Sequence, residues 1–292
     1  MIDGKTISAV MFIHNEEKYI EEAVLSIQNQ TAAVDCTIIV DDYSTDNTLS
    51  IIHRLSESFD NIKILKGKKQ GKSYACELGL MNVETDLFFI CHGDDVLEGD
   101  YVHEMYNFIS QSNLKYAYPN YVITDEKLRP IKFSQRRKPV DKYKALIKHD
   151  LSGYLFGYKE VIDILMPFPN GLSFEDWYIS SMLSQQFGEN HVHNKILFKY
   201  RRHKNADTYN AEFDRKKYFS FLHRAKETLK IIRSRIVDGK SLDIIEERIF
   251  FYESLLNYDV RNSYRIIRCK YITLRDILSF FFFPLTVSLK YK

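Results

Sequence analysis

The sequence predicts an α/β protein built on a doubly wound, mostly parallel sheet, with a run of helices after it. Three observations carry that expectation. Short apolar runs alternate with amphipathic stretches four times within the first hundred residues. The runs are continuous rather than alternating, as strands buried on both faces require. Each run also stops abruptly at polar or charged residues, where a strand gives way to a turn.

Ile7–Ile13 (ISAVMFI) is the first strand, closed by His14 and Asn15. Asn15 is placed to cap a helix with Glu16 and Glu17 in its first turn, and Ile20, Ala23, Val24 and Ile27 fall on one helical face. Residues 36–40 (CTIIV) form a second strand that ends at Asp41 and Asp42. Ser44 or Asp46 then caps a helix marked by Leu49, Ile52 and Leu55. Residues 62–65 form a third strand, followed by the loop KGKKQGK and a helix through Ala75, Leu78 and Gly79. Residues 87–91 (LFFIC) form a fourth, which ends at HGDD.

Beyond residue 100 the pattern loosens. It gives a strand over 116–123, a basic loop at 136–139, an extended segment over 151–158 and a turn at 167–171. A helix runs from Glu175 and Asp176 to about Phe187, and a strand over 192–200 leads into Arg201, Arg202 and His203. From Phe213 the period is helical, with Leu222, Ala225, Leu229, Ile232 and Ile236 on one stripe. Gly239 is expected to break that helix and Ser241 to cap another, through Leu242, Ile245 and Ile249. A change of domain is expected near residue 206.

The composition, 292 residues of which 45% are hydrophobic and 27% charged, suits one large domain or two small ones and excludes disorder and collagen-like sequence. Cys36, Cys76, Cys91 and Cys269 are scattered with no C-x-x-C spacing. This argues against a zinc module or a disulfide framework and for reduced thiols in a cytosolic protein. The first residues hold a short apolar run with acidic flanks, which is not the pattern of a signal peptide. A net charge of +2 hides an asymmetry: residues 1–194 carry 19 Lys/Arg against 28 Asp/Glu, and residues 195–292 carry 22 against 11. The basic portion should face something anionic, such as a membrane surface, a phosphorylated acceptor or nucleic acid, unless it is simply a solvated helical surface.

Ligands of open α/β sheets bind beyond the carboxyl ends of the strands, and here those ends carry His14, Asp42, Asp94 and Asp95. In an adjacent carboxylate pair one member can ligate a hard cation while the other meets a sugar or ribose hydroxyl; a helix-capping pair is the plain alternative. Asp42 suits a hydrogen bond from a base or ribose, and the His14 ring suits stacking on a base or a structural role. The loop at residues 66–72 combines two glycines and four lysines without the spacing of a P-loop, a composition fit for phosphate or for a solvated turn. Glu175 or Asp176 can serve as a general base or cap its helix. His203 can meet a metal or a phosphate.

Singly these features are weak, but in order and spacing they resemble the inverting family 2 glycosyltransferases of the GT-A fold. The stretches that carry the resemblance are ISAVMFIHNEEKYIEEAVLSIQNQT, IIVDDYSTDNT, GKSYACELGL, LFFICHGDDV, FEDW and YRRH. The resemblance, which covers about residues 6–205, implies a Rossmann-like sheet with a nucleotide-sugar-binding half (1–100) and an acceptor-binding half (101–205); periodicity and charge add a helical basic region (206–292). It implies Phe12 and His14 at the base pocket, Asp42 on the base, Lys72 near the nucleotide and Asp94 on ribose or the donor sugar. Asp95 and His203 would hold Mg²⁺ or Mn²⁺, Asp176 would be the catalytic base and Glu175 would touch the acceptor. The donor would be a nucleotide-sugar, with UDP preferred, and the acceptor a glycan or lipid-linked saccharide of a surface polysaccharide. Two departures stand out: the usual D-x-D is His92-Gly93-Asp94, and the A-R-N of many relatives is Ala75-Cys76-Glu77.

Residues 277–289 (ILSFFFFPLTVSL) carry no charge and are too short to span a bilayer. Flanked by Arg268, Lys270, Arg275 and Lys290, they suit either an interfacial segment on the inner face of the plasma membrane or a helix packed on the body or in a homodimer. Other classes fit less well. A sugar nucleotidyltransferase should have a glycine-rich amino-terminal signature, and none is present; a non-catalytic scaffold is favoured only by His92; no nucleic-acid reading motif accompanies the basic charge.

Overall fold

The computed structural model describes residues 1–134, 138–147, 151, 153–204, 215–257 and 262–272. The amino-terminal part alternates as expected: β1 (Ile7–Ile13), α1 (Ile20–Gln28), β2 (Cys36–Asp41), α2 (Thr48–Ser58), β3 (Ile62–Lys66), α3 (Lys72–Met81) and β4 (Leu87–His92). Next come β5 (Val96–Leu97), α4 (Tyr101–Gln111), β6 (Tyr116–Thr124), β7 (Pro130–Ser134), β8 (Val140–Asp141) and α5 (Lys142–Ile147). Then follow β9 (Phe156–Tyr158), α6 (Val161–Leu165), α7 (Glu175–Phe187), β10 (Glu189–Asn190) and β11 (Val192–Arg201). Three helices complete the described chain: α8 (Arg215–Arg233), α9 (Gly239–Asn257) and α10 (Ser263–Arg268).

The main sheet has the order β3-β2-β1-β4-β9-β6-β11-β5, with β7 paired to β6. The strands β3, β2, β1 and β4 are mutually parallel, as are β6 and β11. The short β9 runs antiparallel between β4 and β6 and joins the two parallel halves. Side chains alternate across the sheet and feed two cores. Ile7, Ala9, Met11 and Ile13 belong to the core that also holds residues of α1, α2 and α4, whereas Val10 and Phe12 belong to the core that holds residues of α3, α7 and the carboxyl-terminal helices.

That second core also contains Leu222, Ala225, Leu229, Ile232 and Ile236 of the α8 region, together with Ile244, Ile245 and Ile249 of α9, so the predicted stripe is buried as one surface. Two helix starts differ from expectation. The first helix begins at Ile20, because the turn before it is held by other partners: Asn15 takes φ 59°, and its Oδ1 accepts from the Thr45 N–H at 2.7 Å instead of capping. Gly239 is the first residue of α9, after α8 has ended at Arg233, and the cap is Asp238, whose Oδ2 accepts from the Ser241 N–H and hydroxyl; Ser241 itself is buried. The segment 151–158 is a strand only over Phe156–Tyr158. Residues 277–289 lie outside the described residues. No helix among the described residues is long and apolar enough to cross a membrane.

Candidate active site

The site is assembled at the carboxyl ends of β1, β2 and β4, which are neighbours in the sheet. The turn after β1 is fastened to the turn after β2. The Asn15 N–H donates to Ser44 Oγ, the Glu16 N–H to Thr48 Oγ1 (2.8 Å) and the Glu17 N–H to Asp46 Oδ2. The Glu17 carboxylate accepts from Asn47 in return. His14 is exposed, with Nδ1 3.0 Å from the Asp42 carbonyl oxygen. Asp42 accepts from the N–H groups of Lys69 (2.7 Å) and Gly71 (2.9 Å), which ties the lysine-rich loop to the end of β2. Phe12 is buried in the core, its ring edge-on to His92 at 5.0 Å, and so underlies the rim.

The two aspartates after β4 part company. Asp95 is buried, with Oδ1 accepting from the Arg201 N–H (2.7 Å) and Oδ2 from the Tyr154 hydroxyl (2.8 Å). Burial, reinforced by the negative Asp94, pushes its carboxyl well above the usual range. Asp94 turns the other way, toward His203, whose Nε2 is 3.0 Å from Asp94 Oδ2. Burial works to raise the Asp94 carboxyl, but the His203 hydrogen bond and the His92 and Lys72 charges outweigh it and hold it below the ordinary value. Arg201 also fixes this strand end, donating to the Asp94 carbonyl oxygen (2.7 Å) and pairing with Glu22 at 2.6 Å. The Tyr19 ring packs against both Arg201 and His203.

The ligating atoms of Glu16, Asp94 and His203 all lie within 4.8 Å of one another. Two carboxylates and an imidazole form a donor set that fits a divalent ion. Asp95 is not among these atoms, and each of its oxygens already accepts a hydrogen bond from the protein.

A second carboxylate pair opens α7. Trp177 anchors this helix by donating from Nε1 to the Ala145 carbonyl oxygen at 2.8 Å. Glu175 is buried and accepts from Ser73 Oγ at 3.2 Å. Burial, with the Asp176 charge adding to it, raises the Glu175 carboxyl to about 7. The Lys72 charge acts on both Asp94 and Glu175, lowering each carboxyl. A Cβ added at Gly153 would stand 2.6 Å from His92 Nε2 and 3.8 Å from Asp176 Cβ, so the imidazole and Asp176 flank one glycine.

The sequence-derived residues therefore collect at one rim, though with altered neighbours. Glu16 was expected in a helix and instead joins Asp94 and His203; the signal was the positive-φ tolerance of Asn15, which permits a turn there. Tyr19 and Arg201 lie within the stretches that carry the resemblance and Tyr154 does not, but the part each plays at the rim comes from tertiary contacts.

An α/β sheet that gathers carboxylates, an imidazole and a lysine at its carboxyl rim is a ligand-binding site of the doubly wound class. Residues 8–164 match the family model described as glycosyl transferase family 2, and the chain belongs to that family. An uncharacterized glycosyltransferase of Haemophilus influenzae is 29% identical over 136 residues, covering 46% of this chain and 54% of that protein. The minor teichoic acid biosynthesis protein GgaA of Bacillus subtilis is 24% identical over 239 residues, covering 76% of this chain and 53% of that protein. The matches thus span about half the length of these relatives. In structure, S. aureus TarS 1-349, solved in complex with UDP-GlcNAc, aligns over 94% of this chain and 81% of its own with a TM-score of 0.65 at 16% identity. The shared fold is of the GT-A type.

Proposed function

We propose that this protein is a metal-dependent, inverting glycosyltransferase that moves a sugar from a UDP-sugar to a hydroxyl of a glycan or lipid-linked saccharide in surface polysaccharide biosynthesis. The observation that carries the reading is the set of charged groups gathered at the rim: Asp94 meets His203, the Lys72 charge acts on both Asp94 and Glu175, and His92 and Asp176 flank Gly153. The bound UDP-GlcNAc of TarS supports the donor class, and the teichoic acid name of GgaA supports the product class.

Asp94 and His203 are assigned as ligands for Mg²⁺ or Mn²⁺, because Asp95 is consumed in holding Tyr154 and the Arg201 backbone. Such an ion supplies charge neutralisation for a departing diphosphate. Lys72 adds a positive charge that acts on both the Asp94 and the Glu175 carboxylates. Asp176 takes the proton from the acceptor hydroxyl as it attacks the anomeric carbon from the face opposite the nucleotide, so one displacement inverts the configuration. Glu175, with its carboxyl near 7 and its oxygen bonded by Ser73, supports that end of α7 rather than serving as the base. His14 and Asp42 line the nucleotide side, with Phe12 beneath. The basic carboxyl-terminal region, residues 260–292 included, is assigned to peripheral contact with an anionic membrane surface.

The test is a panel of nucleotide-sugars with Mn²⁺ or Mg²⁺ and a saccharide acceptor, comparing the natural protein with Asp94→Asn and Asp176→Asn. Turnover of one UDP-sugar with inverted product, lost at least a hundredfold in both variants but with donor binding kept in Asp176→Asn, is the expected result. Failure of every nucleotide-sugar to bind with metal present would sink the assignment and leave a non-catalytic scaffold. Removing residues 273–292, which keeps the buried Ile272, should release the protein from anionic vesicles; unchanged retention rejects the membrane assignment.

A further inference from the structure

We infer that Glu16 is a third protein ligand for the divalent ion, and that the site therefore loads a transition ion such as Mn²⁺ before any nucleotide-sugar arrives. This rests on the metal-dependent reading above and goes beyond it, since the Asp94–His203 pair alone leaves the ion dependent on the donor's phosphates.

Four features point to Glu16. Its carboxylate oxygen, an Asp94 oxygen and a His203 ring nitrogen lie within 4.8 Å of one another, close to the ~3–4 Å separations that donors take around one octahedral ion with ~2.1 Å bonds. The Glu16 backbone is fixed from outside the cluster, because its N–H donates to Thr48 Oγ1 and its neighbours are bound to Ser44 and Asp46. The residue before Asp94 is shaped to admit the Glu16 side chain: a Cβ at Gly93 would meet Glu16 Cγ at 3.3 Å and Ile13 Cγ2 at 2.7 Å. Finally, two carboxylates brought this close repel, a cost that a shared cation reverses.

Arg201 is committed to Glu22 and to the carbonyl oxygens of Asp94 and Glu126. The Tyr19 ring holds the His203 imidazole in place, with centroids 4.7 Å apart. Six-coordinate ions with three protein donors keep about three positions for phosphate oxygens and water. An imidazole among the donors favours Mn²⁺ over Mg²⁺.

The probe is Mn²⁺ alone, titrated into full-length donor-free protein and followed by the EPR signal of the free ion. The natural protein should bind one Mn²⁺ without nucleotide, Glu16→Gln should weaken binding at least tenfold, and Glu16→Asp should recover part of the loss. Asp94→Asn should abolish binding. Matching melting curves in metal-free buffer confirm that the variants fold. If Glu16→Gln binds Mn²⁺ as the natural protein does, Glu16 is not a ligand and the inference falls. If the natural protein binds Mn²⁺ only once UDP is added, the three-ligand site is overturned while metal-dependent transfer stands. If no Mn²⁺ binds with or without UDP, both fall together.

Discussion

Asp94 and Asp95 are adjacent in sequence and opposite in consequence. Asp95 joins Tyr154 and the Arg201 N–H in the interior, and Asp94 meets His203 at the rim. Removing a buried acceptor leaves its donors unsatisfied, at a cost of about 1–3 kcal/mol for each hydrogen bond it made. Asp95→Ala is therefore expected to lower the melting temperature by many degrees, whereas Asp94→Asn should leave it nearly unchanged and abolish metal binding; thermal melts beside Mn²⁺ titration separate the two. A second residue-scale expectation concerns Glu175, whose carboxyl is raised to about 7 from an ordinary value of 4.5. Its folded form prefers the proton, so its contribution to stability is full below about pH 4.5 and is lost as pH rises toward 7. Glu175→Gln should remove that loss, so the urea midpoint of the variant relative to the natural protein should rise between pH 5 and pH 8; a difference that stays flat would reject it. Which aspartate faces the rim was not legible in the sequence. A strand-end Asp pair is a local pattern, but the partners that decide it lie 59 residues away in Tyr154 and 109 residues away in His203.

The strands and helices of the first hundred residues were legible, because continuous apolar runs and 3.6-residue stripes are written locally. The first helix start and the α9 cap were not, since each was decided by a side chain bonding across a turn: Asn15 to Thr45, and Asp238 to Ser241. Under the proposed assignment, donor binding depends on the loop between β3 and α3. Two of its N–H groups rest on the Asp42 carboxylate, and Lys72 follows at the start of α3. Asp42→Ala should free this loop, weaken UDP binding at least tenfold in calorimetry and leave donor-free Mn²⁺ binding intact, since Asp42 takes no part in the Glu16–Asp94–His203 cluster. Equal losses of both would mean that the loop and the metal cluster do not act separately.

At the scale of the molecule, the carboxyl-terminal helices share a core with the sheet. Leu222, Leu229 and Ile232 of α8 and Ile245 of α9 belong to the same buried cluster as Val10 and Phe88. Arg235 adds a polar tie, donating to the Tyr178 hydroxyl of α7 and to the Pro167 carbonyl oxygen, each at 2.6 Å. Burying each large aliphatic side chain contributes about 1.5–3 kcal/mol, so a chain ended at residue 214 should aggregate or melt far below the natural protein. Ending it at residue 272 should cost little by comparison; differential scanning calorimetry of the two truncations tests the contrast. The charge asymmetry between residues 1–194 and 195–292 was legible from composition, but this shared apolar contact was not, because composition does not reveal which faces meet.

The side-chain clasp between the turn after β1 and the turn after β2 has a kinetic meaning. Asn15, Glu16 and Glu17 are already bound to Ser44, Thr45, Asp46, Asn47 and Thr48 across the rim, so the ordering of those turns is completed when the chain folds. Under the proposed assignment, a nucleotide reaching this side meets turns that are already ordered. Its association should then follow a single exponential whose rate climbs linearly with ligand concentration, without the plateau that a slow conformational step imposes. Discrimination between nucleotides on this side would accordingly be expressed in how long each one stays.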